Sequence, residues 1–205
     1  MSGPSAAEMF AAIEHLPQQL TWEAVGDAIV PLFVRVRPYP PRAPEPLRTV
    51  IPPGVSVGFG LDIGPAFINV AAEMLEDWPV DLEGLVERAL ANLARQAADI
   101  PPQEVITESV AGVPAGALQA DGGLASGLVL VPEQLERLFG PGPRLYVAPM
   151  RSVLLALPAT VDRDLAAWLY AEIATQDPNC LAPQAFLWTG RAMQVEALGP
   201  AAATA

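Results

Sequence analysis

Apolar residues recur every three or four positions in several segments of the chain, which is the spacing of an α-helix with one buried face. The clearest such segment starts after Asp81, a natural N-cap, and ends before Ile100-Pro101-Pro102. Further helices are predicted over residues 5–16 with Ser5 as N-cap, from Thr21 through Ile29, over 133–139 after Pro132, and from Thr160 through Ile173.

Other segments alternate apolar and polar residues or form short apolar runs, and these predict β-strands. They cover residues 55–63, 66–70, 103–110, 115–120, 124–131, 145–148, 153–157, 185–188 and 193–197. Turn signals join several of them into hairpins, which indicates an α+β fold with a largely antiparallel mixed sheet packed by helices. Residues 55–110 and 145–189 both follow the order strand, strand, helix, strand. One hypothesis is therefore that the chain contains a ββαβ pseudo-repeat.

Seven prolines between Arg37 and Gly54 interrupt this pattern, at positions 38, 40, 41, 44, 46, 52 and 53. Such density forbids a helix and favours a semi-rigid, polyproline-like connector. The chain is therefore predicted to have an N-terminal helical arm (1–37), a proline-rich connector (38–54), an α+β main domain (55–198) and a disordered tail (199–205).

Composition adds strong exclusions to this picture. The 205 residues include 11 arginines, no lysine and 23 acidic side chains, for a formal charge of −12. Hydrophobic residues make up 52% and charged residues 17%, against a usual charged share of about 25%, so the chain can bury a core and is not a disordered acidic polymer. Without lysine, it cannot be a Schiff-base enzyme or carry a lysine-type phosphate loop.

The charge distribution also bears on compartment and partners. The first 16 residues hold two glutamates and no basic residue, which differs from a secretory signal, and we expect a cytoplasmic protein with no membrane partner. Twelve excess negative charges disfavour nucleic acid, because that affinity depends on phosphate neutralisation. The basic cluster of Arg35, Arg37, Arg42 and Arg48 is interpreted as a solvated loop flank in preference to an anion-binding arm.

Nucleophiles and bases are scarce. Cys180 and His15 are single, which excludes a disulfide framework and a multi-ligand Cys/His zinc site. Gly54-Val55-Ser56-Val57-Gly58 matches a nucleophile elbow in form, but prolines precede it, a strand follows it, and no histidine comes after it. Gly58 and Gly60 are better explained by close backbone approach within a strand. No catalytic residue, cofactor or metal is predicted, and we lean towards a protein that is not an enzyme.

Carboxylates are the remaining side chains that could bind a ligand or a metal ion. Glu73, Glu76 and Asp77 crowd one stretch, while Asp162 and Asp164 fall in the first turn of a helix, where they complement its dipole. The candidate binding residues are Asp62, Asp121 and Arg151, which lie in or beside turns. They form one ligand site only if they come within about 10 Å of one another.

Tryptophans and the arm suggest a different kind of site. Trp168 lies on an apolar helical face and is expected in the core. Trp22, Phe10 and Ile13 belong to an arm with too little apolar surface to stand alone, so they are candidate interface residues. The arm must dock either on its own domain or on a second subunit.

Several segments are similar to a known family. The strand VSVGFGLDIGPAFINV (55–70), the helix with LEGLVERALANL (82–93), DGGLASGLVLVPE (121–133), VAPMRSVLLAL (147–157) and FLWTG (186–190) resemble the YtpQ-like bacterial family of unknown function. In that family the fourth segment tends to have an aspartate after the arginine, whereas this chain has Ser152 after Arg151. The resemblance implies a shared fold and supplies no reaction, cofactor or ligand.

These observations favour a non-enzymatic cytoplasmic protein that acts through protein–protein contact, with a partner protein or with itself as a homodimer. The alternative is a small-molecule or metal-binding domain, or an enzyme, that uses carboxylates and arginine. Geometry distinguishes the two hypotheses, because the alternative needs Asp62, Asp121 and Arg151 in one pocket.

Overall fold

The structure is a computed structural model that describes residues 5–17, 19–34, 46–64, 66–120, 124–176 and 180–199. It has an α+β fold with two antiparallel sheets. The helices are α1 (Ala6–Glu14), α2 (Trp22–Val25), α3 (Ala72–Glu76), α4 (Leu82–Ala98), α5 (Leu124–Gly127), α6 (Pro132–Phe139) and α7 (Arg163–Ala174). The strands are β1 (Ile29–Phe33), β2 (Arg48–Ile51), β3 (Val55–Asp62), β4 (Phe67–Asn69), β5 (Ile106–Val110), β6 (Val113–Gln119), β7 (Arg144–Met150), β8 (Val153–Pro158), β9 (Gln184–Trp188) and β10 (Met193–Ala197).

The smaller sheet is organised around β3. On one side β3 pairs with β1, and on the other side it pairs with β2 and then with β4. Val57, Phe59 and Leu61 alternate onto the inner face and are buried, as the two-residue period of a strand requires. On the outer face a Cβ at Gly60 would overlap Cδ1 of Leu32, so glycine here permits close side-chain packing.

The larger sheet has six strands in the order β10-β9-β7-β8-β6-β5. Its first face packs against the core that it shares with the smaller sheet, through Leu118, Tyr146, Leu154 and Phe186. Its second face, which we call the α7 face, packs against α7 through a separate cluster that includes Leu145, Val147, Leu155 and Leu157. Strands β5 and β10 are the two edges.

Helix α4 lies at the centre of the shared core. Its apolar stripe (Leu85, Ala89, Leu93 and Ala97) is fully buried in the cluster that joins both sheets. Asp81 caps its start by accepting a hydrogen bond from the backbone N–H of Gly84 at 2.9 Å, as the sequence predicts. Both sheets therefore pack around one amphipathic helix whose limits are encoded locally.

One polar side chain interrupts this apolar stripe. Asn92 is 1% exposed, and its amide nitrogen donates to the carbonyl oxygens of Gly26 and Ile29, each at 2.8 Å. Its own oxygen accepts from Nη2 of Arg95 at 3.1 Å. Because a buried amide is stable only when its hydrogen bonds are made, Asn92 fixes the start of β1 against α4.

The prediction of one helix from Thr21 through Ile29 is wrong in its second half. Helix α2 ends at Val25, a 3-10 turn covers Gly26–Ala28, and the chain then enters β1. Pro31, expected to stop the helix, lies within this edge strand, where the lack of an N–H is tolerated. Pairing with β3, a contact between residues distant in sequence, determines the structure here.

Residues 124–131 are also not the predicted strand. They form α5 followed by a 3-10 turn, Leu128–Leu130. An apolar run this short has no diagnostic period, so a buried helix and a buried strand look alike in sequence. Gly127 lets α5 lie close to α4, because a Cβ there would meet Cδ1 of Leu93 at 3.2 Å.

Helices α7 and α1 differ in detail from their predictions. Helix α7 is capped by Asp162, which accepts from the backbone N–H of Asp164 at 3.0 Å, so the helix starts after Thr160. Trp168 is 38% exposed and is not a core residue. At the N-terminus, Ser5 caps α1 as predicted and also forms a reciprocal capping box with Glu8.

The sheet connections bear on the predicted organisation of the chain. Strands β1 and β2, from the predicted arm and connector, flank β3 of the predicted main domain. The order of elements in the two candidate repeats is similar, but β5 joins the larger sheet whereas β9 pairs with its own β7. The two segments therefore do not share one pairing pattern. Residues 35–37 of the predicted arm, 38–45 of the predicted connector and 200–205 of the predicted tail lie outside the described residues.

We expect Asn92→Ala to lower the free energy of unfolding by about 2–4 kcal/mol, because two buried carbonyl groups lose their donors. Chemical denaturation followed by circular dichroism measures this. Glu87→Ala, at an exposed position of the same helix, is the control and should change stability by less than about 0.5 kcal/mol. Equal stability of the two variants would contradict a structural role for the buried amide.

Candidate functional site

Arg151 connects the two sheets. It lies in the turn between β7 and β8, and its Nε and Nη2 both donate to the carbonyl oxygen of Phe33, at 3.0 and 2.8 Å. Phe33 is the last residue of β1, and its ring also contacts Phe186 of β9, with ring centroids 5.6 Å apart. The guanidinium thus holds the end of β1 against the larger sheet, a structural use of its planar fork.

Asp62 ends β3 and has structural partners of its own. One carboxylate oxygen accepts from the backbone N–H of Gly64 at 2.8 Å, which shapes the turn towards β4. The other accepts from Nε2 of Gln96 on α4 at 3.4 Å. The carboxylate therefore fastens the turn to the central helix.

The structure does not bring Asp62 and Arg151 together. Phe33, which Arg151 contacts, pairs with Val57, whereas Asp62 lies five residues further along β3. At a rise of about 3.3 Å per residue this is about 16 Å along the strand, beyond the distance that one small pocket would require. Asp121, the third candidate, lies outside the described residues.

The elbow-like motif lies inside a strand. Ser56 is in β3 opposite Val50, with strand on both sides of it, so it is not at a strand-to-helix turn. His15 follows α1 and its Nδ1 lies 2.6 Å from the carbonyl oxygen of Ala11. Neither residue has the geometry of a hydrolase nucleophile and its base.

A cavity of about 220 Å³ lies beside this strand, between the two sheets. Its lining includes Phe33, Val55, Ser56, Ala148 and Phe186, and no charged side chain. Arg151 contacts the carbonyl group of Phe33 on the wall. The cavity is apolar and small, and it offers few polar groups to orient a substrate.

Across the described ranges, no three His, Cys, Asp or Glu side chains gather in the way that a metal centre requires. Cys180 is a free, half-buried thiol beside Tyr170. In the same part of the chain, no helix has both the length and the apolar character of a membrane span.

Helix α1 presents an apolar face to solvent. Phe10 is 67% exposed and Ile13 is 48% exposed, although the helix is regular and capped. They lie three residues apart and so share one face. These two candidate interface residues are therefore not covered by the residues that the structure describes.

Trp22, the third candidate, is anchored on its own chain. Its ring packs against that of Trp78, with centroids 5.5 Å apart, and Nε1 of Trp78 donates to the carbonyl oxygen of Leu20 at 2.8 Å. Leu16 and Leu20 also pack against the shared core. The arm is thus attached in cis from Leu16 onwards, while α1 keeps its apolar face exposed.

A second apolar surface was not foreseen from the sequence. The α7 face of the larger sheet continues beyond α7 onto β5 and β6, where Val113, Ala115 and Ala117 are only half-buried. Ile106 pairs with Ala117, lies on the same face and is 60% exposed. We call Ile106, Val113, Ala115 and Ala117 the β5–β6 surface.

Tyr146 is a further group that sequence reasoning missed. It is fully buried in β7, and its hydroxyl makes no hydrogen bond with any described residue. Burial raises the pKa of its phenol to about 12, the nearby Arg144 acts to lower the pKa, and Glu136 acts to raise it. The phenol of the folded protein therefore ionises only at a more alkaline pH than an ordinary tyrosine does.

In comparisons with known proteins, no family model, curated protein or solved structure matches this chain.

We expect folding stability to fall between pH 10 and pH 12, because the unfolded chain loses the Tyr146 proton near pH 10 while the folded protein keeps it to about pH 12. Tyr146→Phe should flatten this dependence, by about 2 kcal/mol at the alkaline end, and cost little at pH 7 because the hydroxyl has no partner to lose. Denaturation at a series of pH values measures both effects.

Tyr170→Phe is the contrasting variant, because the Tyr170 hydroxyl donates to the carbonyl oxygen of Leu181. It should lose about 0.5–1.5 kcal/mol at pH 7. A comparable loss at pH 7 in Tyr146→Phe would contradict the unpaired state of that hydroxyl.

Proposed function

We propose that this chain is a cytoplasmic protein–protein interaction module that binds a second copy of itself through α1. The observation that carries the proposal is the exposed pair Phe10 and Ile13 on a capped helix whose arm is otherwise anchored in cis. Burying the exposed parts of these two side chains contributes about 2–3 kcal/mol for each α1, which favours association.

The size of α1 requires a receiving surface on the partner. Nine residues span only about 13 Å, and a stable interface buries about 800 Å² on each partner, so two α1 helices paired with each other are too small. The β5–β6 surface of the second copy supplies an apolar area of the needed kind. A two-fold arrangement in which each α1 lies on the other copy's β5–β6 surface uses both surfaces twice.

Charge is compatible with self-association. The net charge of −12 opposes the approach of two copies, but the two surfaces themselves are apolar and carry few carboxylates, such as Glu14 and Glu108. At physiological ionic strength the Debye length is about 8 Å, so distant charges are largely screened. Self-association should strengthen with added salt, whereas binding of a basic partner protein would weaken.

The structural roles of the candidate polar residues support a non-enzymatic function. Asp62 shapes a turn, Arg151 joins the two sheets, and Ser56 lies within a strand. Each has a structural partner or position that would have to change before it could act on a substrate. The free thiol of Cys180 is in keeping with a reducing compartment.

We expect the full chain to form a dimer that the double substitution Phe10→Glu with Ile13→Glu weakens by at least about 100-fold, because two apolar contacts are lost and charge is introduced. Light scattering coupled to size exclusion over a concentration series measures this. Ala11→Glu adds the same kind of charge to the opposite, exposed side of α1 and should leave the dimer intact.

A wild-type chain that stays monomeric at all concentrations would refute self-association. A dimer that both variants weaken equally would show that charge, and not the Phe10 and Ile13 face, controls it.

On the receiving side, Ile106→Glu should weaken the dimer by at least about tenfold without loss of folding, because Ile106 is already 60% exposed. Ser109→Glu is the matched control on the same edge strand, since Ser109 is exposed and alternates onto the opposite face. Analytical ultracentrifugation of both variants tests the assignment. A dimer insensitive to Ile106→Glu would place the α1 contact elsewhere.

A further inference from the structure

Arg144 is a half-buried cation for which the described residues provide neither a hydrogen-bond acceptor nor an ion-pair partner. It opens β7, and its Nε is fully enclosed yet makes no hydrogen bond with any described residue. Neither of the two ion pairs found among the described residues involves it. An enclosed guanidinium donor without an acceptor is costly, and its position demands an explanation.

Other arginines that contact the core elements behave differently. Arg137 donates to the carbonyl oxygens of Ile100 and Ala97 at 2.9 and 2.6 Å, and Arg151 donates to that of Phe33. Arg163 pairs with Glu196, with Nε 2.7 Å from the carboxylate oxygen. Arg144 is thus distinct among the half-buried arginines that the structure describes in having no oxygen to bind.

Arg144 lines a cavity of about 370 Å³ at the β5 end of the larger sheet, and its lining also includes Gly116 of β6 and Ala115 of the β5–β6 surface. Leu138 and Phe139 of α6 form one wall, Val105 is beside them, and Thr107 is at the exposed edge. A Cβ at position 116 would meet the Phe139 ring at 3.1 Å, so Gly116 lets that ring lie close to the strand. The cavity therefore has apolar walls and one cationic group.

The groups around Arg144 leave its charge available. Tyr146, beside it in β7, is a neutral phenol at physiological pH, as an ordinary tyrosine is, and burial raises its pKa further, to about 12. Glu136 accepts a hydrogen bond at 2.9 Å from Nε1 of Trp188, the residue paired with Arg144 across β7 and β9. That carboxylate is held by Trp188 and forms no ion pair with the guanidinium.

We infer that this cavity binds a small monocarboxylate with an apolar or aromatic body, whose carboxylate pairs with Arg144 and whose body packs against Phe139 and Leu138. A guanidinium matches a planar carboxylate through two parallel N–H donors. The volume falls within the range of small-molecule sites. A single arginine with Glu136 nearby favours one negative charge over the two of a phosphate monoester.

The test is a titration of the full chain with benzoate, followed by amide chemical shifts. Benzyl alcohol, which has the same ring and no charge, is the ligand control. We expect saturable shifts at Thr107, Gly116 and Leu138 with benzoate, and binding at least about tenfold weaker with benzyl alcohol. Binding of the carboxylate should also weaken as salt is added.

Two variants make the assignment specific. Arg144→Gln should weaken benzoate binding by about 10- to 100-fold, whereas Arg191→Gln, which removes an exposed arginine before β10, should leave it unchanged. Thr107→Trp places a large ring at the exposed edge of the cavity and should block binding with Arg144 intact. This second variant keeps the test decisive if Arg144→Gln fails to fold.

Equal binding of benzoate to wild type and Arg144→Gln would overturn the inference, as would equal affinity for benzyl alcohol. Saturation at residues away from the cavity, or no shift at all, would do the same. None of these outcomes bears on the dimer, because the dimer is tested by substitutions at Phe10, Ile13 and Ile106, none of which lines this cavity.

Discussion

The amide of Asn92 is the polar constraint on which the packing of the two sheets depends. It binds the carbonyl groups of Gly26 and Ile29, where the chain leaves a 3-10 turn and enters β1. With that point fixed on α4, β1 pairs with β3 in one register, and its last carbonyl group reaches Arg151 of the larger sheet. A shift of β1 by one residue would move every side chain to the other face and leave two buried acceptors without donors.

An element of the fold could be predicted from the sequence when the contacts that determine it join residues close together in the chain. Helix α4 has its N-cap, its stripe and its terminating prolines within one segment, and the β7–β8 and β9–β10 hairpins have adjacent strands, so local patterns suffice. The prediction for β1 fails because its structure depends on pairing with β3, which is distant in sequence, and the prediction for α5 fails because a short apolar run has no diagnostic period. The alternating pattern of β5 correctly indicates a strand but not that it is an edge.

The candidate sites also divide into features that local sequence indicates and features that depend on contacts between distant residues. Side-chain chemistry identifies Asp62 and Arg151, but only the register of β1 against β3 shows that they are separated. A signal for Arg144 was present, since Arg144, Tyr146 and Ala148 alternate onto one face of β7 and two of them are buried. An arginine at the start of a strand, on the same face as buried residues, indicates a cation that is partly enclosed by the core. The exposure of Phe10 and Ile13 follows from the amphipathic arm, which the sequence indicates directly.

The absence of lysine makes arginine the sole cation for packing, and its geometry explains how the chain uses it. A guanidinium can give two N–H groups to one or two carbonyl oxygens while its stem lies among apolar side chains, which a single ammonium group cannot match. Arg137 does this around the end of α4, at the carbonyl oxygens of Ala97 and Ile100, and Arg151 does it at the end of β1, at that of Phe33. Arg144 lies next to α6, whose last residue leads into Gly140, yet it takes no carbonyl there. An arginine in that half-buried position with no acceptor among the described residues is better explained by an acceptor that comes from a ligand.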